Sequence, residues 1–235
     1  MRHDAFEIAG QARAGGVVFT CEHASNRVPA PWRLRPRDRA LLATHWGYDI
    51  GARSLTLELA RLAGGAAALS RFSRLLIDPN RDPADPTAVL AETDDGAPSF
   101  NRRPDVTHRA TRFHAPFHHA VDRLVARRPR FLMSIHSFTP RFRGNARAME
   151  AGVLFDRHDD HAEALLRALR DVGLRAEPNA PYSGKDGLIY SANRHGTNHA
   201  VPYLEIEVRQ DLIASERHAR QVARQVWRAM RAASI

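Results

Sequence analysis

Short apolar runs alternate with amphipathic segments along the chain, and this alternation is typical of an α/β layer fold. The clearest predicted strands are residues 16–21 and 131–135, which are short and mostly apolar. Further strands are predicted at residues 75–77, 152–155 and 203–208, and helices at residues 36–43, 49–63, 116–127, 159–172 and near the C-terminus. No linker rich in proline, glycine, serine or charge divides the chain. We therefore expect one α/β domain over residues 1–235.

Polar side chains stand where three of the apolar runs end. His23, Asp78 and His136 each lie at or just beyond the end of a predicted strand. Ligands of open α/β sheets bind in the crevice outside the carboxyl ends of the strands, so these side chains are expected around one crevice. The irregular stretch 78–105 is expected to be a long loop of the same active site.

Two of these residues suit metal-assisted hydrolysis. His23 and His136 are candidate ligands for a zinc ion with an open coordination position, which polarises a carbonyl group and activates water. His114 and His118 compete for this role, since they share a helical face at positions i and i+4. No glutamate lies between them in a zinc-protease pattern, so we interpret them as surface residues or as residues behind the ligands.

The last predicted strand carries two glutamates. Glu205 and Glu207 alternate with apolar residues and so point to the same face. On an exposed edge they would be ordinary solvated charges, whereas at a buried strand end one of them is a candidate general base. Arg81 and Arg209 each follow a predicted strand, and a guanidinium group binds a carboxylate through two hydrogen bonds. These arginines are candidates for holding an acidic substrate.

Other catalytic classes have less support. Cys21 lies in or at the end of a predicted strand without an evident partner, and no serine stands in a Gly-x-Ser-x-Gly elbow. Neither a glycine-rich phosphate loop nor a dinucleotide fingerprint occurs. With Cys21 as the only cysteine, no intrachain disulfide can form. No apolar run reaches the roughly 20 residues of a membrane span, and no signal-peptide pattern opens the chain, so we expect a cytoplasmic protein.

The formal net charge of +9 raises the question of a nucleic-acid partner. Every lysine or arginine except Lys185 is an arginine, which indicates compositional bias more than a binding surface. One basic stripe recurs at helical spacing near the C-terminus: Arg217, Arg220, Arg224, Arg228 and Arg231. Trp227 is the single aromatic residue among these arginines, so no series of rings is available to stack on bases. We interpret the stripe as a solvated helix face and expect no nucleic-acid partner.

Four segments, in order along the chain, resemble those of N-formylglutamate amidohydrolases: residues 21–26 (CEHASN), 45–52 (HWGYDIGA), 73–81 (SRLLIDPNR) and 207–212 (EVRQDL). The resemblance runs from about Gly16 to the last helix. The resemblance implies a metal-dependent amidohydrolase that removes an N-acyl group from an acidic amino acid such as glutamate. The acyl group implied is formyl. The substrate implied is a small molecule.

A more distant resemblance to zinc carboxypeptidases implies the fold and several roles. The fold is an α/β domain with a mixed, mostly parallel sheet flanked by helices, of the phosphorylase/hydrolase-like type. Residues 134–137 resemble the strand that brings the last histidine ligand to zinc, which makes His136 a ligand. By the same resemblance, Asn80 and Arg81 bind the substrate carboxylate, and Glu207 is the catalytic base.

The third metal ligand is where the chain departs from that pattern. Carboxypeptidases carry a His-x-x-Glu pair, whereas His23 is followed three residues later by Asn26, and asparagine is a poor zinc ligand. We choose Asp49, which lies in one of the family-like segments, with Glu22 and Asn26 as alternatives. If none of them ligates, a degenerate member that binds an acidic ligand is the remaining interpretation.

Residues 181–199 are expected to form the substrate loop. The stretch is non-periodic and contains glycine, and it brings Tyr182 and Arg194 as candidates for holding the side-chain carboxylate of glutamate. A simple surface loop is the alternative. The resemblance fixes the reaction type better than the acyl group, so a hydrolase of another N-acyl amino acid or of a small peptide stays open.

Overall fold

The structure is a computed structural model that describes residues 3–235. Its strands are β1 (Phe6–Gly10), β2 (Val17–Cys21), β3 (Ala66–Ser70), β4 (Phe131–Phe138), β5 (Arg141–Phe142), β6 (Asn145–Ala146), β7 (Ala151–Leu154), β8 (Ala176–Pro178) and β9 (Tyr203–Arg209). Its helices are α1 (Pro36–Leu42), α2 (Ala52–Ala63), α3 (Val106–Arg109), α4 (Ala115–Val125), α5 (Asp159–Asp171), α6 (Tyr190–His199) and α7 (Glu216–Ala232). Across residues 3–235, no helix is both long and apolar enough to span a membrane.

One mixed sheet forms the centre of the molecule. Seven strands hydrogen-bond in the order β1-β3-β2-β4-β9-β7-β8, and β5 pairs with β6 in a separate two-stranded hairpin. The four central strands β3, β2, β4 and β9 are parallel, whereas β1 and β7 run antiparallel to their neighbours. The expected α/β class and the mixed, mostly parallel sheet are confirmed.

Helices cover both faces of the sheet and bury two apolar cores. On one face α2, α5 and α7 pack their apolar sides against the sheet, and Val222, Val226 and Met230 of α7 are buried there. On the other face α4 and α6 contribute Phe117, Val121 and other buried residues. Strands covered on both faces read as continuous apolar runs, which is why the central strands are visible in the sequence.

The arginine stripe of α7 is solvated, as expected. Its five arginines, at positions 217, 220, 224, 228 and 231, are all exposed, opposite the buried apolar face of the same helix. Cys21 lies in the core at the end of β2 with no exposed surface, and burial raises the pKa of its thiol to about 12. A neutral, enclosed thiol cannot act as a nucleophile.

The predicted strand at 75–77 is wrong. These residues form a buried turn, in which the backbone N–H of Leu76 donates to the carbonyl of Ser73 at 2.9 Å. The carbonyls of Leu75 and Leu76 accept hydrogen bonds from the side chains of Asn101 and Arg109, at 2.8 and 2.7 Å. Side chains therefore satisfy the backbone groups that a neighbouring strand would otherwise pair, and the apolar run stays buried without joining the sheet.

Candidate active site

A polar patch forms on one face of the sheet toward the carboxyl ends of the central strands. In the parallel pairing of β4 with β9, Ser134 stands opposite Glu205 and His136 opposite Glu207, so the four side chains share a face. Earlier on the same face, Leu132 belongs to the apolar core. β4 is longer than the predicted strand 131–135, so His136 lies inside it and not beyond its end. His136 stands opposite Glu207 of β9.

Two histidines and one carboxylate converge at this patch. Asp49 Oδ2 lies 2.8 Å from Nδ1 of His136 and 3.4 Å from Nδ1 of His23. All three side chains are buried, and their ligand atoms lie within 4.8 Å of one another. Two imidazole nitrogens and one carboxylate oxygen form the kind of three-ligand set that leaves zinc an open fourth position. The structure thus brings together the three ligands predicted from the sequence.

A turn before α2 places Asp49. Its backbone N–H donates to the carbonyl of His23 at 3.0 Å, which ties the turn to the end of β2. Gly51 follows in the left-handed region, with φ of +84°, and a Cβ there would collide with the carbonyl oxygen of Ile213. Glycine is therefore required at this position, because both the backbone conformation and the close approach exclude a side chain.

The second nitrogen of each histidine also meets a carboxylate. His23 Nε2 lies 2.7 Å from Asp78 Oδ1, and His136 Nε2 lies 3.1 Å from Glu22 Oε2. A carboxylate at the remote ring nitrogen is the usual means of orienting a metal-binding histidine. The sequence offered Glu22 only as an alternative ligand, although its position directly before His23 was a usable signal.

These contacts provide a test of whether a metal ion fits. A neutral imidazole has a single N–H and can donate to only one of two carboxylates, yet each ring faces one through both nitrogens. A second proton on the ring supplies the missing donor, as the raised pKa of His136 indicates. A cation on the Nδ1 side would take the place of that proton, since the Nδ1 lone pair would be used in coordination and the remaining proton would sit on Nε2. The donor set therefore fits a divalent metal held by His23, Asp49 and His136.

The electrostatics of the patch point the same way. Five buried carboxylates surround the two rings: Glu22, Asp49, Asp78, Glu205 and Glu207. Burial opposes the charge of His136, but Glu205, Asp49 and Glu22 outweigh it and raise its pKa well above the ordinary value. Arg74 offsets part of the negative charge, at 2.8 Å from Asp78 and 3.6 Å from Asp49. An excess of negative charge remains for a cation to balance.

The two glutamates of β9 differ in their partners. Glu205 Oε2 accepts a hydrogen bond from Asn80 Nδ2 at 3.2 Å and lies 3.5 Å from His136 Nε2. Glu207 Oε2 is buried and has no hydrogen-bond partner among residues 3–235. Burial raises the pKa of Glu205, and it raises the pKa of Glu207 well above its ordinary value. Within residues 3–235, Glu22 Oε1 also lacks a partner, but of these two carboxylates only Glu207 lines the cavity of the site, where a water or a substrate can reach it.

These groups open into one cavity of about 510 Å³. Its wall includes Asn80, Arg81 and Tyr182, three of the predicted substrate-binding residues. Asp85, Thr87 and Leu90 also line it. The irregular stretch after Asp78, interrupted only by short helical turns, therefore forms part of the cavity wall, as the sequence predicted.

Asn80 lines the cavity, but both the nitrogen and the oxygen of its amide group already have hydrogen-bond partners. The Asn80 side chain is occupied within the protein, since it donates to Glu205 and to the carbonyl of Leu188 and accepts from the N–H of Ser191. Asn80 therefore positions its neighbours instead of offering a free amide to a substrate.

The two remaining predicted residues, Arg194 and Arg209, lie outside the cavity. Arg209 turns back to Asp211 and to the carbonyls of residues 147–149 at the end of its strand. Arg194 is not in a loop: α6 begins at Tyr190, and Arg194 donates to the hydroxyl of Tyr190 one turn earlier. The expectation that residues 181–199 form one loop is wrong from Tyr190 onward. Asn26, an alternative ligand, is exposed and outside the ligand cluster.

His114 and His118 are buried, so the surface interpretation is wrong for both. His118 Nε2 donates to the carbonyl of Pro79 at 3.0 Å, and His114 Nε2 donates to the carbonyl of Arg81 at 2.9 Å. They hold the segment between Asp78 and Arg81 from behind. Burial lowers the pKa of both histidines, most strongly that of His118, and so favours their neutral forms.

Comparison with known families decides the membership. The model of the N-formylglutamate amidohydrolase family matches residues 15–214, which include the ligand cluster and Glu207. The chain belongs to the N-formylglutamate amidohydrolase family. All four segments that suggested this family in the sequence lie inside the matched range, and the predicted membership is confirmed. A comparison with curated proteins returns no match.

Three solved structures resemble this member of the N-formylglutamate amidohydrolase family along nearly its whole length. A gene product of Agrobacterium tumefaciens is 29% identical, with 99% of this chain and 96% of that chain covered and a TM-score of 0.89. An N-formylglutamate amidohydrolase from Ralstonia eutropha is 20% identical, covers 99% and 98%, and has a TM-score of 0.75. A bacteriophage poly-gamma-glutamate hydrolase is 12% identical, covers 100% and 90%, and has a TM-score of 0.52. The last two likenesses show a shared fold.

Proposed function

We propose that this chain is a metal-dependent amidohydrolase that cleaves the N-acyl amide of an acidic amino acid such as N-formyl-L-glutamate, releasing formate and glutamate. One observation carries the proposal. His23, Asp49 and His136 line the same cavity as Glu207, whose Oε2 has no hydrogen-bond partner among residues 3–235. Membership in an amidohydrolase family supports the reaction type.

The ligand triangle would hold zinc or another divalent ion. When bound, such an ion polarises the acyl carbonyl and lowers the pKa of its water toward roughly 7. Asp78 and Glu22 fix the orientation of the two imidazoles through their remote nitrogens. Ser137 holds the ligand carboxylate, since its backbone N–H donates to Asp49 Oδ2 at 3.1 Å.

Glu207 moves the protons. Its free Oε2 accepts a proton from the attacking water, and the same oxygen delivers that proton to the departing amine nitrogen. Burial favours the protonated form of this carboxyl group, so Glu207 can hold the proton between the two steps. Glu205 is less suited to the task, because Asn80 already occupies one of its oxygens.

Arg81 and Tyr182 would receive the amino-acid part of the substrate. No carboxylate of residues 3–235 forms an ion pair with Arg81, whose NH1 donates to the carbonyl of Asn80. Its remaining guanidinium donors are therefore available for a substrate carboxylate. Tyr182 stands on the wall of the same cavity.

Formate release from N-formyl-L-glutamate tests the proposal, with zinc-loaded protein assayed before and after treatment with a chelator. We expect release that the chelator abolishes and that added metal restores. No release by protein shown to contain metal would discard formylglutamate and keep another N-acyl amino acid or a small peptide. No release together with no bound metal would favour a degenerate protein that binds an acidic ligand.

A further inference from the structure

The wall of the cavity is apolar on one side. Beside the polar residues that hold the metal and the protons stand six large side chains, which we call the apolar wall: Trp46, Leu90, Phe138, Phe142, Tyr182 and Leu188. The cavity volume of about 510 Å³ lies within the ~300–1,000 Å³ typical of pockets that enclose drug-sized ligands. A formyl group, with a hydrogen in place of any carbon substituent, contacts almost none of this surface.

Two members of the apolar wall are unusual in the molecule. Among residues 3–235, the exposed large hydrophobic side chains are Phe142 at 37% and Tyr182 at 40%, and both stand on this cavity. Exposed apolar surface gathered at one place marks a binding site more often than chance exposure does. The exposure therefore belongs to the cavity and not to the surface in general.

The aromatic rings are held in place without a ligand. The guanidinium carbon of Arg147 lies 5.5, 5.0 and 5.8 Å from the ring centroids of Phe138, Phe142 and Tyr182. Arg147 is itself fixed by the backbone carbonyl and the hydroxyl of Thr139, at 3.2 and 3.1 Å. Arg147 thus ties the three aromatic rings of the apolar wall to the chain around Thr139.

The direction of the substrate follows from the proposed hydrolysis, on which this inference rests. Arg81 receives the amino-acid carboxylate, and the acyl substituent leaves the scissile bond on the opposite side. We propose that the preferred substrate carries an apolar acyl group larger than formyl, seated against Phe138 and Phe142. Each methylene buried there should raise kcat/KM about fourfold until the wall is covered.

A series of N-acyl-L-glutamates tests this: formyl, acetyl, butanoyl and hexanoyl, each assayed for release of glutamate by the zinc-loaded enzyme. We expect kcat/KM to rise along the series by at least tenfold from formyl to hexanoyl. In Phe142→Ser, the ratio of the hexanoyl to the formyl value should fall several-fold. Arg141→Ser is the matched control, since Arg141 is exposed on the same hairpin and outside the cavity wall, and it should keep the wild-type ratio.

Equal or falling kcat/KM along the series would overturn the inference, as would a ratio that Phe142→Ser leaves unchanged. Calorimetric binding of N-hexanoyl- and N-formyl-L-glutamate to the same proteins separates it from the proposed function. Tighter, Phe142-dependent binding of the hexanoyl compound without turnover would refute the hydrolysis and keep the apolar acyl site. Equal affinity for the two compounds, or binding of neither, would refute the site.

Discussion

Two buried histidine clusters lie on either side of the segment from Asp78 to Arg81, and they differ in how their charges are balanced. In the front cluster, His23 and His136 each face a carboxylate through both ring nitrogens. In the rear network, the one carboxylate Asp122 serves two histidines, at 2.8 Å from His195 and 3.1 Å from His199. Carboxylates outnumber histidines in the front cluster, whereas histidines outnumber carboxylates in the rear network.

The rear network gathers three histidines around one carboxylate, so it lacks the excess of negative charge found in the front cluster. The carbonyl of Pro79 only accepts, so His118 carries its proton on Nε2 and accepts from His195 Nε2 through Nδ1, at 2.7 Å. The other ring nitrogen of His195, Nδ1, lies 2.8 Å from Asp122 Oδ1. The comparison teaches that the partners of a histidine, rather than the number of histidines nearby, indicate whether a cation is needed.

The largest expected effect comes from removing a histidine of the front cluster. His23→Ala should lose stoichiometric metal and reduce formate release to background, because several kcal/mol of carbonyl polarisation correspond to about a thousandfold or more in rate. His114→Ala, which removes a buried histidine behind the segment, should keep its metal. Metal analysis of the two purified variants checks this. A full equivalent of metal in His23→Ala would assign the site to other ligands.

Glu207→Gln should lower kcat by about 10²–10⁴, since it removes the group that transfers the proton. The variant should still bind one metal ion, because Glu207 is not part of the ligand triangle. Metal content and steady-state kinetics are measured on the same preparation. Loss of metal would point to the alternative group of His136, Glu205 and Glu207, whose ligand atoms also lie within 4.8 Å of one another.

Asp78→Asn should weaken metal binding about 10–100-fold, because the amide orients the His23 ring less firmly than the carboxylate. Competition with a chelator of known affinity measures the change. Asp122→Asn makes the same substitution in the rear network and should leave the metal affinity unchanged. Equal losses in the two variants would show that the effect is a general loss of stability.

His118→Leu should cost about 1–3 kcal/mol in the free energy of unfolding, because it leaves the carbonyl of Pro79 without its donor. His118→Gln places an amide N–H near the position of Nε2 and should recover part of this loss. Chemical denaturation compares the two variants. Hydrogen exchange of the Asn80 and Arg81 amides should be faster in the leucine variant, and identical exchange would argue against a role in holding this segment.

The smallest effect concerns acid stability. The hydrogen bond and charge of His195, followed by those of His199, lower the pKa of Asp122 to about 2 in the folded protein, from 3.8. A depressed carboxyl pKa stabilises the fold above the unfolded value and loses that contribution as the pH falls from about 4 toward 2. The difference in Tm between wild type and Asp122→Asn should therefore shrink over this range. A constant difference would show that the pKa of Asp122 is the same in both states.

The sequence revealed what depends on local pattern. The continuous apolar runs of β2 and β4 located His23 and His136, and the alternation in β9 placed Glu205 and Glu207 on one face. The run Ala66–Ser70 escaped notice, because alanine indicates a strand poorly. The run at 75–77 resembled a strand, since a buried turn paired with side chains has the same apolar composition.

Contacts between residues far apart in the sequence could not be predicted from local pattern. His23 and Asp78 are 55 residues apart, and nothing in either local segment identifies the other as its partner. Arg194 and Arg209 were chosen because arginine suits carboxylates, but their directions are set by the turn of α6 and by the end of β9. In an arginine-rich chain, residue type alone discriminates poorly between a substrate contact and a structural one.

The rate at which a reagent labels the single buried thiol, Cys21, reports how often the sheet opens. Cys21 has no exposed surface at the end of β2, two residues before His23, so a thiol reagent reaches it only after the centre of the molecule unfolds. A metal that binds only the folded state should slow this labelling in proportion to 1 + [metal]/Kd when opening is an equilibrium. Labelling rates measured with and without zinc would then give the metal affinity, and the measurement requires neither a substrate nor an engineered cysteine.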